Sequence, residues 1–143
     1  MPETVAIEQN GHVRTIILDR PEKKNALSDT FAWSIINAVD DAAQDDDVWV
    51  IAITGEGDAF CAGLDLSAEP DPYKAPMSAQ SAQLDDIGWV GNFSLGFRQR
   101  CEKPIVGGIN GAAVGAGLAL ALATDMRIVA RSARLMAGYT RIG

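Results

Sequence analysis

The residues with the clearest capacity for chemistry are Gly111–Gly117, read Gly-Ala-Ala-Val-Gly-Ala-Gly, set between the apolar run Pro104–Asn110 and a small-residue run to Thr124. A buried strand that stops, a glycine-punctuated turn and a helix starting near Gly115 are the expected local structures. Glycine lacks the Cβ that would hold a ligand off the main chain. The first turn of a helix carries unpaired N–H groups and the positive end of a dipole. The stretch is therefore suited to holding an oxyanion by backbone alone.

Two other readings fit the same residues less well. Pro104–Thr124 is 21 residues without a charge, long enough to cross a bilayer, and Gly107, Gly111 and Gly115 repeat the GxxxG spacing. Five glycines, Pro104 and Asn110 make a poor helix interior, and no aromatic belt flanks the run. A dinucleotide fingerprint is a weaker match, because the glycine spacing is not GxGxxG and no acidic ribose partner follows a second strand.

The elements that must position this turn lie upstream. Thr4–Glu8 and Val13–Leu18 are rich in β-branched residues and flank Asn10-Gly11, a hairpin signal. A polar loop, Asp19–Leu27, carries the adjacent Lys23 and Lys24. Ser28 then caps a helix whose apolar face is Phe31, Ile35, Val39 and Ala43 and which dissolves in Asp45-Asp46-Asp47. Val48–Thr54 reads as a parallel strand buried on both faces, reached by a βαβ crossover. It ends in a second small-residue turn, from Gly55 to Leu66. Ligands of parallel sheets bind beyond the strand C-termini, so the two turns are expected to converge. Ser67–Ser81, with three prolines, reads as a loop able to cover a substrate, and Leu84–Glu102 as a loose helix. Met126–Ala130 is a further strand and Arg131–Arg134 a turn.

Length and composition set the frame. The 143 residues form one expected domain, and 48% apolar content suffices for a core. A net charge of −7 argues against nucleic acid and anionic membranes as partners. A single histidine, His12, leaves no basis for a Ser/His/Asp triad or a His-rich metal site. Cys61 and Cys101 form neither a disulfide framework nor a metal motif. The N-terminus has no apolar signal segment, so a cytoplasmic protein is expected.

Three motifs carry a family resemblance: Arg20-Pro21 through Asn25-Ala26-Leu27; Thr54-Gly55 through Phe60-Cys61-Ala62-Gly63-Leu64-Asp65-Leu66; and Lys103-Pro104 through Asn110-Gly111 and Gly115-Ala116-Gly117. In this order and spacing they resemble the crotonase superfamily, the enoyl-CoA hydratase/isomerase family, across essentially the whole chain. The resemblance implies an α/β fold, a spiral of ββα units. It implies an acyl-CoA thioester as ligand, with coenzyme A entering as part of the substrate rather than as a resident cofactor. It also implies homo-trimers or hexamers, and backbone N–H groups of Leu64 and Ala116 holding the thioester oxygen as it becomes an enolate. The CoA adenine and ribose are expected near Ala62, Leu64, Asp65, Leu66 and Ser67. Lys24, Ala26 and Leu27 would line the other side, and Lys23 or Lys24 would face phosphate. Asp65 itself reads as a turn or cap residue.

The sequence departs from the family where hydration needs an acid and a base. Hydratases of the family use two glutamates, and the matching positions here are Ala119 and Tyr139. Neither an alanine nor a phenol substitutes for a positioned carboxylate. Water addition is therefore disfavoured. What remains is an isomerase-type enzyme whose carboxylate lies elsewhere, a reading in which Asp85 or Asp86 reaches the site, or a non-catalytic acyl-CoA binding or scaffold protein. Family chains continue past the position of Gly143 with helices that complete the acyl pocket and subunit contacts, so residues 1–143 are expected to be the N-terminal part of one domain.

Overall fold

The computed structural model describes residues 5–67 and 96–141. Among these residues eight strands fall into two sheets that grow together: β1 (Ala6–Asn10), β2 (Val13–Leu18), β3 (Val50–Gly55), β5 (Ile105–Ile109) and β7 (Met126–Val129) make one, in that order. The other consists of β4 (Ala59–Cys61), β6 (Ala112–Val114) and β8 (Leu135–Met136). Among the described residues three α-helices intervene: α1 (Asp29–Gln44), α2 (Phe97–Arg100) and α3 (Ala116–Ala123). Strand pairs thus alternate with helices. From β3 onward each pair places its first strand in the larger sheet and its second in the smaller, the spiral of ββα units expected from the motifs.

The hairpin β1–β2 is antiparallel, and every other strand pair is parallel. Its register pairs Asn10 with Val13, so the two-residue loop is Gly11-His12, one position later than the Asn10-Gly11 signal. A parallel partner needs a crossover, and α1 supplies it between β2 and β3. Its start is fixed by Ser28, whose hydroxyl oxygen accepts from the Phe31 N–H at 3.1 Å. Its end is held by Lys103, whose ammonium donates to the carbonyls of Ala42 (2.8 Å) and Asp45 (2.5 Å). A cation there meets the last free carbonyls and the negative end of the helix.

One face of the larger sheet makes the core. Ile16, Leu18, Ile51, Ile53, Ile105 and Ile109 are buried with Phe31, Ile35 and Val39 of α1 and with Phe60, Phe97 and Leu120. The alternate residues Ala52, Thr54 and Val106 are only half-buried. The apolar run at 48–54 is therefore buried on one face, not two, because α1 covers a single side. Both small-residue turns hold more structure than their composition announces. Each contains a three-residue strand, β4 or β6, too short and too poor in β-branched residues to show a period-two pattern. No helix among the described residues is long and apolar enough to cross a membrane: the uncharged run at 104–124 is divided among β5, β6 and α3. The expected covering loop at 67–81 apart from Ser67, most of the loose helix at 84–102, and Asp85 and Asp86 lie outside the described residues.

Candidate functional site

The site is assembled from three backbone segments. The first follows β4. Residues 62–65 run alongside the loop 24–27 and are stitched to it: the Ala62 N–H donates to the Lys24 carbonyl (3.0 Å), the Leu27 N–H to Gly63 (2.7 Å) and the Asp65 N–H to Leu27 (2.9 Å). Because the Gly63 carbonyl points at Leu27, the N–H across the same planar trans peptide, that of Leu64, points the other way. It makes no hydrogen bond to a described residue.

The second segment is the entry to α3. The Ala119 N–H donates to the Gly115 carbonyl at 3.0 Å, the first bond of the helix, which leaves the Ala116 N–H in the unpaired first turn. Gly63 brings the two segments together. Its φ is +102°, and a Cβ there would lie 2.8 Å from the Val114 carbonyl and 3.8 Å from the Ala116 nitrogen. Gly117 does the same on the inner side, since a Cβ would collide with the Cys61 carbonyl. Only glycine at both positions lets α3 lie against β4 and its exit.

The third segment is the exit of β8. With the other two it encloses a cavity of about 250 Å³, lined by Ala62–Leu64 and Leu66, by Val114–Ala116, and by Met136, Gly138 and Tyr139. The expected convergence of the two turns is thus present. Leu64 and Ala116 meet at this cavity, and Ala62 and Leu66 line it.

Lys24, Ala26, Leu27, Asp65 and Ser67 do not line the cavity; they lie behind it or beside it. Lys24 is exposed and ion-paired with Asp58 at 2.6 Å, and Lys23 donates to the Ser67 hydroxyl at 3.0 Å. Ala26 and Leu27 are buried, their main-chain groups consumed within the loop pair and by Arg20. Asp65 accepts from the Ser67 hydroxyl (2.6 Å) and N–H (2.9 Å) and is paired with Arg20 at 2.8 Å. The Ser67 hydroxyl, then the Arg20 guanidinium, hold its carboxyl down at about 2. Burial pushes the neighbouring Cys61 thiol up to about 12, so it is no nucleophile.

Among the described residues, no carboxylate lines the cavity. Tyr139 does, half-exposed, with its ring near Gly115, whereas Ala119 sits half-buried one turn into α3. A larger groove of about 550 Å³ lies between β1 and α1, lined by Ile7, Trp33, Asn37 and Asp41 among others. It gathers no strand C-termini, so the smaller cavity is the better candidate.

Sequence reasoning missed three polar residues behind the site. Arg20 is buried, with its side chain against Asp65, the Ala26 carbonyl and the Phe31 ring. Asn25 is fully buried at φ +55°, accepting from the Arg20 N–H and donating to the carbonyls of Glu56 and Ala59. Asn110 accepts from the Gly55 N–H and donates to Gly57 and Ala59. An asparagine beside a glycine turn was the available signal for the last.

The sequence and the fold both have close counterparts among known proteins. The model of the enoyl-CoA hydratase/isomerase family matches residues 8–143. A probable enoyl-CoA hydratase of Mycobacterium tuberculosis is 36% identical over 141 residues, 99% of this chain and 52% of its own length. A 4-chlorobenzoyl coenzyme A dehalogenase of Arthrobacter is 32% identical over 139 residues, 97% of this chain and 49% of its own. The crystal structure of an enoyl-CoA hydratase from Mycobacterium avium superposes with a TM-score of 0.76 at 37% identity, covering 99% of this chain and 53% of that one. The chain spans about half the length of the relatives it matches. With the motifs, the paired sheets and the family match in agreement, the chain belongs to the enoyl-CoA hydratase/isomerase family of the crotonase superfamily.

Proposed function

We propose that the chain is the oxyanion-holding part of an acyl-CoA enzyme, in which the N–H groups of Leu64 and Ala116 receive the thioester oxygen as an enolate forms. The observation that supports this reading is that Leu64 and Ala116, whose N–H groups make no hydrogen bond to a described residue, both line one largely apolar cavity. Donors fixed in place before reaction need no reorganisation when negative charge develops, and a water-poor wall strengthens them. The substrate class is a fatty-acyl or related CoA thioester, whose carbonyl would meet the donors.

Proton transfer at the α- or γ-carbon, as in an isomerase, fits better than addition of water. Water addition needs an acid and a base on the two faces of a double bond, and Ala119 and Tyr139 stand where those would be. The same absence of a cavity carboxylate among the described residues supports a second reading, an acyl-CoA binding or scaffold subunit that keeps the cradle without turnover. Leu122, Met126, Ile128, Leu135 and Met136 are exposed, which supports a homo-trimeric or hexameric state over an isolated protomer. A cytoplasmic site of action belongs to this reading too.

The test is α-proton exchange of a bound acyl-CoA in D₂O, comparing the parent with Ala116→Pro. Proline is tolerated at the first helical position, and it replaces the N–H by a ring carbon that cannot donate. Loss of one such donor costs about 3–4 kcal/mol, a fall of about 10²–10³ in rate. Exchange that survives the substitution would overturn the oxyanion reading. Binding without exchange in the parent would select the binding protein.

A further inference from the structure

The Arg20–Asp65 ion pair is placed oddly for a device of stability alone. Its side chains are 10% and 6% exposed, and burying two charges generally costs as much as their attraction returns. What the pair does is mechanical. The guanidinium holds the Asp65 carboxylate at 2.8 Å and the Ala26 carbonyl at 2.7 Å, and so fastens the loop before Leu27 to the residue after Leu64. Leu27 in turn binds Gly63 through its N–H and Asp65 through its carbonyl. The residues on both sides of Leu64 are therefore tied to one short stretch, and Arg20 braces that stretch from behind. The Ser67 N–H and hydroxyl occupy the other Asp65 oxygen, closing the tie.

The pair also settles an electrostatic problem. A carboxylate one residue from a donor that must receive negative charge opposes that charge, and in a partly buried setting the opposition is weakly screened. A guanidinium at 2.8 Å cancels it, in the fixed fork geometry that lysine does not share.

We infer that Arg20 is a positioning residue: through Asp65 and the Ala26 carbonyl it sets the orientation of the Gly63–Leu64 peptide and neutralises the charge beside the Leu64 N–H. This rests on the oxyanion reading of Leu64, and its test separates the two.

The experiment uses the full chain with ¹⁵N-leucine and an acyl-CoA ¹³C-labelled at the thioester carbonyl, comparing the parent with Arg20→Met, Arg20→Lys and Asp65→Asn. In the free protein, Arg20→Met should move the Leu64 amide resonance and speed hydrogen exchange at Leu27, whose N–H is held by Gly63. With ligand, Arg20→Met should bind within about 3-fold of the parent while the carbonyl resonance returns toward its free value. Its α-proton exchange should fall about 10- to 100-fold, short of the loss for a deleted donor. Arg20→Lys, with the charge but not the fork, should fall between. Should Arg20→Met fail to fold, Arg20→Lys and Asp65→Asn carry the same comparison. An unmoved Leu64 amide, or an unmoved carbonyl resonance in folded variants, would overturn the inference. A parent that binds without polarising the carbonyl would overturn the oxyanion reading instead, and the Leu64 amide would still judge the bracing.

Discussion

Asn25 and Asn110, from two different family motifs, donate through their side-chain amides to the same carbonyl oxygen, that of Ala59, at 2.9 and 3.2 Å. Between them they hold the start of β4, the strand that delivers residues 62–66 to the cavity. Each amide also binds two further backbone groups.

Asn25→Ala should therefore destabilise the fold by about 2–4 kcal/mol, since a fully buried amide with three partners is lost and a non-glycine residue is left at positive φ. Asn110→Ala should cost less, about 1–2 kcal/mol, because its surroundings are half-buried. The double variant should lose more than the sum, by about 1 kcal/mol, because only then does Ala59 lose both side-chain donors. Urea unfolding of the four proteins measures all three terms.

Gly117→Ala adds one methyl group against the Cys61 carbonyl, a backbone atom that cannot rotate away. The expected cost is about 1–3 kcal/mol, with α3 displaced from β4. A thermal melt together with acyl-CoA affinity should show both stability and binding reduced in Gly117→Ala.

Asp65 gives a signed pH dependence. Its carboxyl titrates at about 2 in the folded chain against 3.8 ordinarily, so its contribution is complete above pH 3.8. It is lost as the pH falls from there through 2. Asp65→Asn removes that contribution, so parent and variant should differ in stability at neutral pH and converge between pH 4 and 2. A gap that stays constant over this range would show that the folded and unfolded pKa values are alike.

Hydratase chemistry should be recoverable if only the acid and base are missing. Ala119 lies three residues beyond Ala116, on the same side of α3, and Tyr139 already lines the cavity. Ala119→Glu with Tyr139→Glu should raise the hydration of an enoyl-CoA by about 10²–10⁴. Loss of the conjugated enoyl absorbance reads the rate.

Most of the fold was legible because its longer elements carry simple periodicities. Ser28 with Phe31, Ile35 and Val39 located α1, and the β-branched runs located β2 and β3. The convergence of the two turns on one cavity was legible for another reason: glycines that serve close approach, such as Gly63 and Gly117, leave their mark in composition. β4 and β6 were not legible, being three residues each and defined only by distant partners. Nor was the role of Arg20, whose partners Asp65 and Ala26 are assigned by the fold and not by spacing. A buried arginine looks like any arginine in a polar loop.

The alternation of strands between two sheets has a consequence for how the chain is assembled. After β4, each new strand is laid against the strand two strands earlier, so β5 builds on β3 and β7 on β5, while β6 builds on β4 and β8 on β6. Every unit thus serves as template for the next, and none has to wait for a partner far downstream. Such a molecule is a staircase that can be climbed in the order of synthesis. Its advancing rim, here Met126, Ile128, Leu135 and Met136, stays adhesive until a further step or a neighbour covers it.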